Sequence, residues 1–74
     1  MNMYKLQLLQ GRKKPVLLDT LDTAEEAVYN GAAYLGLTMD MKPSIQYLLT
    51  KGEVQMMVGR AGQVPETILI EVVL

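Results

Sequence analysis

The sequence predicts a small α+β domain in which a single helix packs on one face of a mostly antiparallel sheet. Three observations support this fold class. With 74 residues the chain is the size of one domain, residues 1–74. Most of its apolar segments have the period of β-strands, whereas one segment has the period of an amphipathic helix. Short polar segments that contain glycine or proline separate these blocks, as expected of one compact domain.

The N-terminal part of the chain predicts a β-hairpin. Residues 4–9 alternate between apolar and polar side chains, which is the pattern of a half-buried strand. Residues 10–15 are polar and contain Gly11 and Pro15, and residues 16–21 then form a second β-favouring run. Two such runs joined by a short glycine-containing loop indicate two antiparallel strands.

The next segment predicts a helix over residues 24–35. Thr23 and Glu26 have the spacing of a capping box, and the acidic side chains of this first turn suit the positive end of the helix dipole. Gly36 is expected to end the helix in the left-handed conformation, with Leu37 folding back onto it. The apolar positions of one helical face lie at Ala24, Ala27, Val28, Gly31 and Leu35.

The C-terminal half predicts three more strands. Residues 45–50 and 53–58 flank Lys51 and Gly52, which suit a tight hairpin turn. Residues 67–74 are apolar on both faces except at Thr67 and Glu71, as in a strand covered on two sides. The C-terminal strand is therefore expected to be central in the sheet.

The resulting order, ββαβββ with an inserted last strand, resembles the plan of ubiquitin-like β-grasp domains. The resemblance rests on chain length, on the opening hairpin followed by a capped helix, and on the central last strand. The chain ends in Glu71-Val72-Val73-Leu74, where a conjugated modifier has a Gly-Gly tail. The resemblance therefore implies a fold and no function, and a plain helix-on-sheet α+β fold stays open beside it.

Composition argues against catalysis. Cysteine and histidine are absent, which excludes disulfides, thiolate sites and imidazole-bound zinc. The paired carboxylates Asp19 with Asp22 and Glu25 with Glu26 lie where capping alone explains acidic residues. Residues 59–62, Gly-Arg-Ala-Gly, lack the following Gly-Lys-Ser/Thr of a nucleotide loop. We expect no catalytic residues, no cofactor and no metal site.

Three cations at the predicted hairpin tip, Arg12, Lys13 and Lys14, suggest nucleic-acid contact as an alternative function. Against it stand the net charge of −1 and the absence of Trp and Phe for stacking on bases. Solvated cations at a hairpin tip also protect edge strands from aggregation.

The clearest anomaly is the excess of apolar residues, which make up 50% of the chain. One helix covers one sheet face, yet the other face keeps an apolar pattern, and a monomer rarely exposes a large apolar patch. The sequence thus predicts a dimer interface or partner site on that face, formed by Leu9, Leu17, Leu48, Met57, Leu69 and Val73. The alternatives are a loop, residues 60–66, folded over this face, or a strand register shifted by one residue.

We therefore expect a small non-catalytic protein-interaction module of accessory, regulatory or inhibitor type that self-associates through an apolar sheet face or a strand edge. A nucleic-acid-associated regulator is the first alternative. A small-ligand or enzyme-subunit role, with its pocket at a dimer interface, is the second. No apolar run has transmembrane length, and the N-terminus lacks the features of a signal peptide, so a cytoplasmic protein is expected.

Overall fold

The computed structural model describes residues 2–73 and shows two helices and four strands, an α+β fold. The elements, in chain order, are β1 (Met3–Gln10), β2 (Val16–Leu21), α1 (Ala24–Leu35), α2 (Lys42–Lys51), β3 (Glu53–Val58) and β4 (Glu66–Val73). The strands form one sheet in the order β2-β1-β4-β3, and every neighbouring pair is antiparallel. The predicted α+β class, the antiparallel sheet and the central position of the last strand are confirmed, whereas the predicted single helix is wrong because the chain forms two.

The core lies between the sheet and the two helices, which pack on the same sheet face. Alternate residues of each strand point to this face, because successive side chains of a strand point to opposite sides. On the central strand these are Ile68 and Ile70, which are completely buried, and on β1 they are Tyr4, Leu6 and Leu8. The helices contribute Val28, Leu35 and Leu48, among others. Within residues 2–73 the structure therefore has two layers, with both helices on the same side of the sheet.

Helix α1 forms where its capping signals place it. The Thr23 hydroxyl accepts a hydrogen bond from the Glu26 backbone N–H at 3.1 Å and donates one to the Glu26 carboxylate at 3.1 Å. Gly36 ends the helix at φ 73°, and the Leu37 N–H donates to the Ala32 carbonyl at 2.9 Å. Leu37 is half-buried against the core, as predicted. Both ends of this helix are therefore fixed by local interactions.

Gly31 allows α1 to lie close to the sheet. A Cβ atom at this position would be 2.8 Å from Met56 Cε, 2.9 Å from Ile68 Cγ2 and 3.2 Å from Leu6 Cδ1. These three side chains belong to β3, β4 and β1, so the helix crosses the middle of the sheet. The small residue predicted on this helical face is thus required by contact with three strands.

The strand predicted at residues 45–50 is wrong, because this segment lies within helix α2. Met41, Ile45 and Leu48 have helical spacing, and Met41 and Leu48 are buried at 3% and 1% exposure. Pro43 lies in the first turn, where a missing N–H is tolerated, and the Asp40 carboxylate accepts from the Lys42 N–H at 3.0 Å. The chain order is therefore ββααββ, and the single-helix ββαβββ plan does not hold.

The hairpin predicted at Lys51-Gly52 is wrong for the same reason. Gly52 is the C-cap of α2 at φ 81°, and its N–H donates to the Leu48 carbonyl at 2.9 Å. A basic residue followed by a left-handed glycine is also the usual ending of a helix. Glycine is needed here in either interpretation, so it could not by itself distinguish a helix end from a strand turn.

Candidate interaction surface

The sheet face opposite the helices is the candidate site, and we call it the open face. Cross-strand register places its residues in rows. One row contains Leu17, Gln7, Leu69 and Gln55, and the row beside it contains Thr20, Lys5, Glu71 and Glu53. The outer rows contain Leu9, Thr67 and Met57 on one side and Met3 with Val73 on the other. Apolar residues therefore lie on all four strands of this face.

Five of the six residues predicted for the interface lie on the open face. Leu17 and Met57 are 58% and 65% exposed, and Val73 is 38% exposed. Leu9 and Leu69 are half-buried by their neighbours on the strands. Neither helix packs on this face, because the buried side chains of both helices belong to the core on the other side of the sheet. The structure therefore brings these five residues together on one accessible surface.

The prediction for Leu48 is wrong. This residue lies in α2 and is 1% exposed, within the core between the helices and the sheet. Its helical neighbours Tyr47 and Leu49, which the strand interpretation directed toward the core, are 53% and 55% exposed. The error follows directly from the period, because a helix turns these three side chains in different directions whereas a strand alternates them.

Met3 is a residue of the open face that the sequence reasoning missed. It pairs with Val73 at the end of β1 and β4 and is half-buried. Like Lys5, Gln7 and Leu9, it has an odd residue number, and the alternation of side chains along a strand places all four on the same face. It is absent from the predicted interface because the alternation in the sequence predicts a strand that begins one residue later, at Tyr4.

Polar groups cross the middle of the open face. The Gln7 amide donates to the Glu71 carboxylate at 2.7 Å, and both side chains are partly buried. Lys5 lies directly opposite Glu71 across the strands, and Glu53 lies opposite Glu71 on the other side. Within residues 2–73 the one ion pair is Arg60 with Glu66, so Lys5 makes none. The open face therefore has a central row that contains Lys5 and Glu71, with apolar side chains in the rows on either side.

The segment predicted as an alternative cover does not shield the most prominent residues of this face. Residues 59–65 are themselves exposed, and Val64 lies against Gly11, where an added Cβ would be 3.2 Å from Val64 Cγ1. Gly11 belongs to the turn between β1 and β2, at the end of the sheet. Met57 and Leu17 keep more than half of their surface exposed, so this loop does not cover them.

The predicted basic residues Arg12, Lys13 and Lys14 all lie exposed in the turn between β1 and β2. The Lys13 N–H donates to the Gln10 carbonyl at 3.0 Å, which closes this turn. A cleft of about 350 Å³ lies beside this turn and is lined by Gln10, Gly11, Arg12, Lys13 and Val64. The hairpin tip is thus a second, chemically different surface at one end of the sheet.

The carboxylates do not converge on a cation site. Asp19 accepts a hydrogen bond from the Thr20 N–H at 2.7 Å, and Asp40 accepts one from the Lys42 N–H at 3.0 Å. No group of three or more acidic side chains within residues 2–73 has metal-binding geometry. Asp22, Glu25 and Glu26 are exposed around the start of α1. Their positions fit the helix-capping explanation.

A cleft of about 760 Å³ lies between α2 and β3. Its polar groups include the Ser44 hydroxyl, the Tyr47 phenol, the Lys51 ammonium and the Glu53 carboxylate. Among the described side chains, none of these four groups forms a hydrogen bond or ion pair with another. The cleft therefore provides no pre-formed nucleophile–base or acid–base pair.

None of the helices in the described part of the chain is long and apolar enough to cross a membrane. Comparison with known proteins adds no further constraint, since no family model, curated protein or solved structure matches this chain.

Proposed function

We propose that this chain is a small protein-interaction module that associates with a second copy of itself through the open face. The observation that carries the proposal is the set of apolar side chains that occupy this face, with Leu17 and Met57 more than half exposed. Leu, Met and Val mixed with Gln and Thr is a composition that suits an interface better than a fully solvated sheet. The role is non-catalytic and acts by surface contact.

A second copy fits this face because its charged row is self-complementary. Consider two open faces packed against each other. A two-fold axis that lies between them, parallel to the strands and above the boundary of β1 and β4, places β1 of one copy over β4 of the other. Lys5 then faces Glu71 of the second copy, twice in the dimer, while Met3 faces Val73. An axis perpendicular to the strands places β1 over β1 and leaves each Lys5 without a facing carboxylate. Charge complementarity therefore favours the parallel axis.

The size of the face sets the expected affinity. Four strands spaced about 4.8 Å apart, each up to eight residues long at about 3.3 Å per residue, give a footprint of about 500 Å². Stable protein interfaces bury about 800 Å² of accessible surface per partner, so this interface lies at the small end. We expect a reversible dimer with a Kd in the micromolar range.

The test is sedimentation velocity of the wild-type chain and two matched variants across micromolar to submillimolar concentration. Leu69→Glu places a carboxylate at the centre of the open face and is expected to give a folded monomer. Leu49→Glu makes the same substitution on the outside of α2, where Leu49 is 55% exposed, and is expected to dimerise like the wild type. A wild-type chain that stays monomeric over the whole range would overturn the proposal. Equal loss of dimer in both variants would remove the open face as its site.

A further inference from the structure

The structure concentrates positive charge at one end of the sheet. Two segments form this basic end, the β1–β2 turn (residues 10–15) and the β3–β4 loop with the first residue of β4 (residues 59–66). Together they carry four cations, Arg12, Lys13, Lys14 and Arg60, against one carboxylate, Glu66. The basic end therefore has a formal charge of +3, and since the whole chain has −1, the rest carries −4. A near-neutral net charge conceals this separation.

The two segments are held side by side. Gln10 pairs with Glu66 across the strands, and the Gln10 amide donates to the Glu66 carboxylate at 3.3 Å. Arg60 lies 3.6 Å from the other oxygen of that carboxylate. Among residues 2–73 this is the one ion pair, so Arg12, Lys13 and Lys14 have none. Three exposed cations are thus available at the tip, beside a cleft of about 350 Å³.

We infer that the basic end binds the phosphate backbone of double-stranded nucleic acid. Phosphate oxygens are contacted chiefly by Lys and Arg, and a two-stranded β-ribbon fits the major groove of B-form DNA. The basic end contains no aromatic residue, so stacking on unpaired bases is not available to it. Binding is therefore expected to be independent of sequence and to favour duplexes over single strands. This inference goes beyond self-association and stands without it.

The acidic remainder of the molecule orients this contact. Asp22, Glu25 and Glu26 lie at the start of α1, which follows the end of β2, and β2 pairs with β1 so that Leu21 is opposite Tyr4. The turn between β1 and β2 is at the other end of these strands. Repulsion between the acidic end and the phosphates therefore points the hairpin tip toward the duplex.

The experiment measures fluorescence anisotropy of a labelled duplex DNA of mixed sequence against the wild-type chain at several salt concentrations. Each phosphate contact contributes about −0.9 to the slope of log affinity against log salt concentration. Three contacts therefore predict an affinity loss of about 40-fold between about 50 and 200 mM salt. The variant with Arg12, Lys13 and Lys14 all changed to Ala is expected to bind at least about tenfold more weakly at low salt, with little salt dependence left.

A matched pair separates a local site from a general charge effect. Lys13→Ala removes one cation from the tip and is expected to reduce the salt slope by about 0.9. Lys51→Ala removes the same charge from the exposed end of α2 and is expected to leave the slope unchanged. Equal effects of the two variants, or no duplex binding at low salt, would overturn the inference. It would also be overturned if vesicles of phosphatidylserine and phosphatidylcholine bound the tip while duplex DNA did not.

Discussion

The two faces of the sheet differ in what covers them, although both are rich in apolar residues. On the core face, Ile68 and Ile70 are completely buried under the two helices. On the open face, Leu69 of the same strand is half-buried, and Met57 of the neighbouring strand is 65% exposed. Adjacent residues of similar chemistry therefore serve different purposes. Apolar content alone does not identify a core, and the layer packed above each side chain decides its contribution to stability.

The largest effect that tests this comparison is expected from Leu48→Glu. Leu48 is buried in the helix layer, so a carboxylate there would be desolvated without a partner, and a small domain has little stability to lose. We expect the variant to be largely unfolded by circular dichroism and to show no cooperative urea transition. Leu49→Glu, at the exposed neighbouring position, should keep the wild-type transition. A folded Leu48→Glu chain would contradict the burial of this residue in the core.

A second, smaller effect compares neighbours on β4. Ile70→Ala removes a completely buried side chain and is expected to lower the free energy of unfolding by about 2–4 kcal/mol. Leu69→Ala, on the open face, is expected to lower it by less than about 1 kcal/mol when the protein is dilute enough to be monomeric. Urea denaturation of both variants at low protein concentration measures the difference. Similar losses would show that the open face is covered within one chain.

The third effect concerns the orientation of the proposed dimer. Lys5→Glu and Glu71→Lys each place like charges opposite one another across the proposed two-fold axis, so each variant alone should be mainly monomeric. Mixing the two variants pairs opposite charges at both contacts, and the heterodimer should form with roughly wild-type affinity. Native mass spectrometry of the mixture measures its population.

Each variant also creates a like-charge pair within its own chain, because residues 5 and 71 are cross-strand neighbours. Mixing the two variants does not change this intrachain pair. Recovery of dimer on mixing therefore reports the contact between the chains. If the mixture shows no preference for heterodimers while the wild type dimerises, the axis is not parallel to the strands. The self-association proposal would then survive with a different geometry.

Local signals were sufficient for the first half of the molecule. The hairpin of β1 and β2 follows from alternation and a Gly/Pro turn, and α1 follows from the Thr23–Glu26 capping box and from Gly36. Each of these signals acts within a few residues, so it does not depend on distant contacts. The central position of β4 was also predictable, because its apolar residues on both faces indicate a strand with neighbours on either side.

The second helix was not predicted, because its sequence satisfies two periods at once. Ile45, Tyr47 and Leu49 alternate as in a strand, whereas Met41, Ile45 and Leu48 repeat as in a helix. Pro43 in the first turn and Lys51 with Gly52 at the end are helix signals. The same residues are also compatible with a loop before a strand and a turn after it, which is how the strand interpretation explains them. One candidate interface residue, Leu48, was misplaced as a result. The other five did not depend on this segment.

The sequence by itself determined the α+β class, the hairpin, the first helix, the central last strand and the alternation that creates an apolar second face. These properties depend on local periodicity and capping, which act between residues close in the chain. The tertiary structure decided that residues 42–51 are helical, since Met41 and Leu48 are buried there between the helices and the sheet. It also brought Arg60 beside the hairpin tip, because the antiparallel pairing of β1 with β4 joins loops more than forty residues apart in sequence.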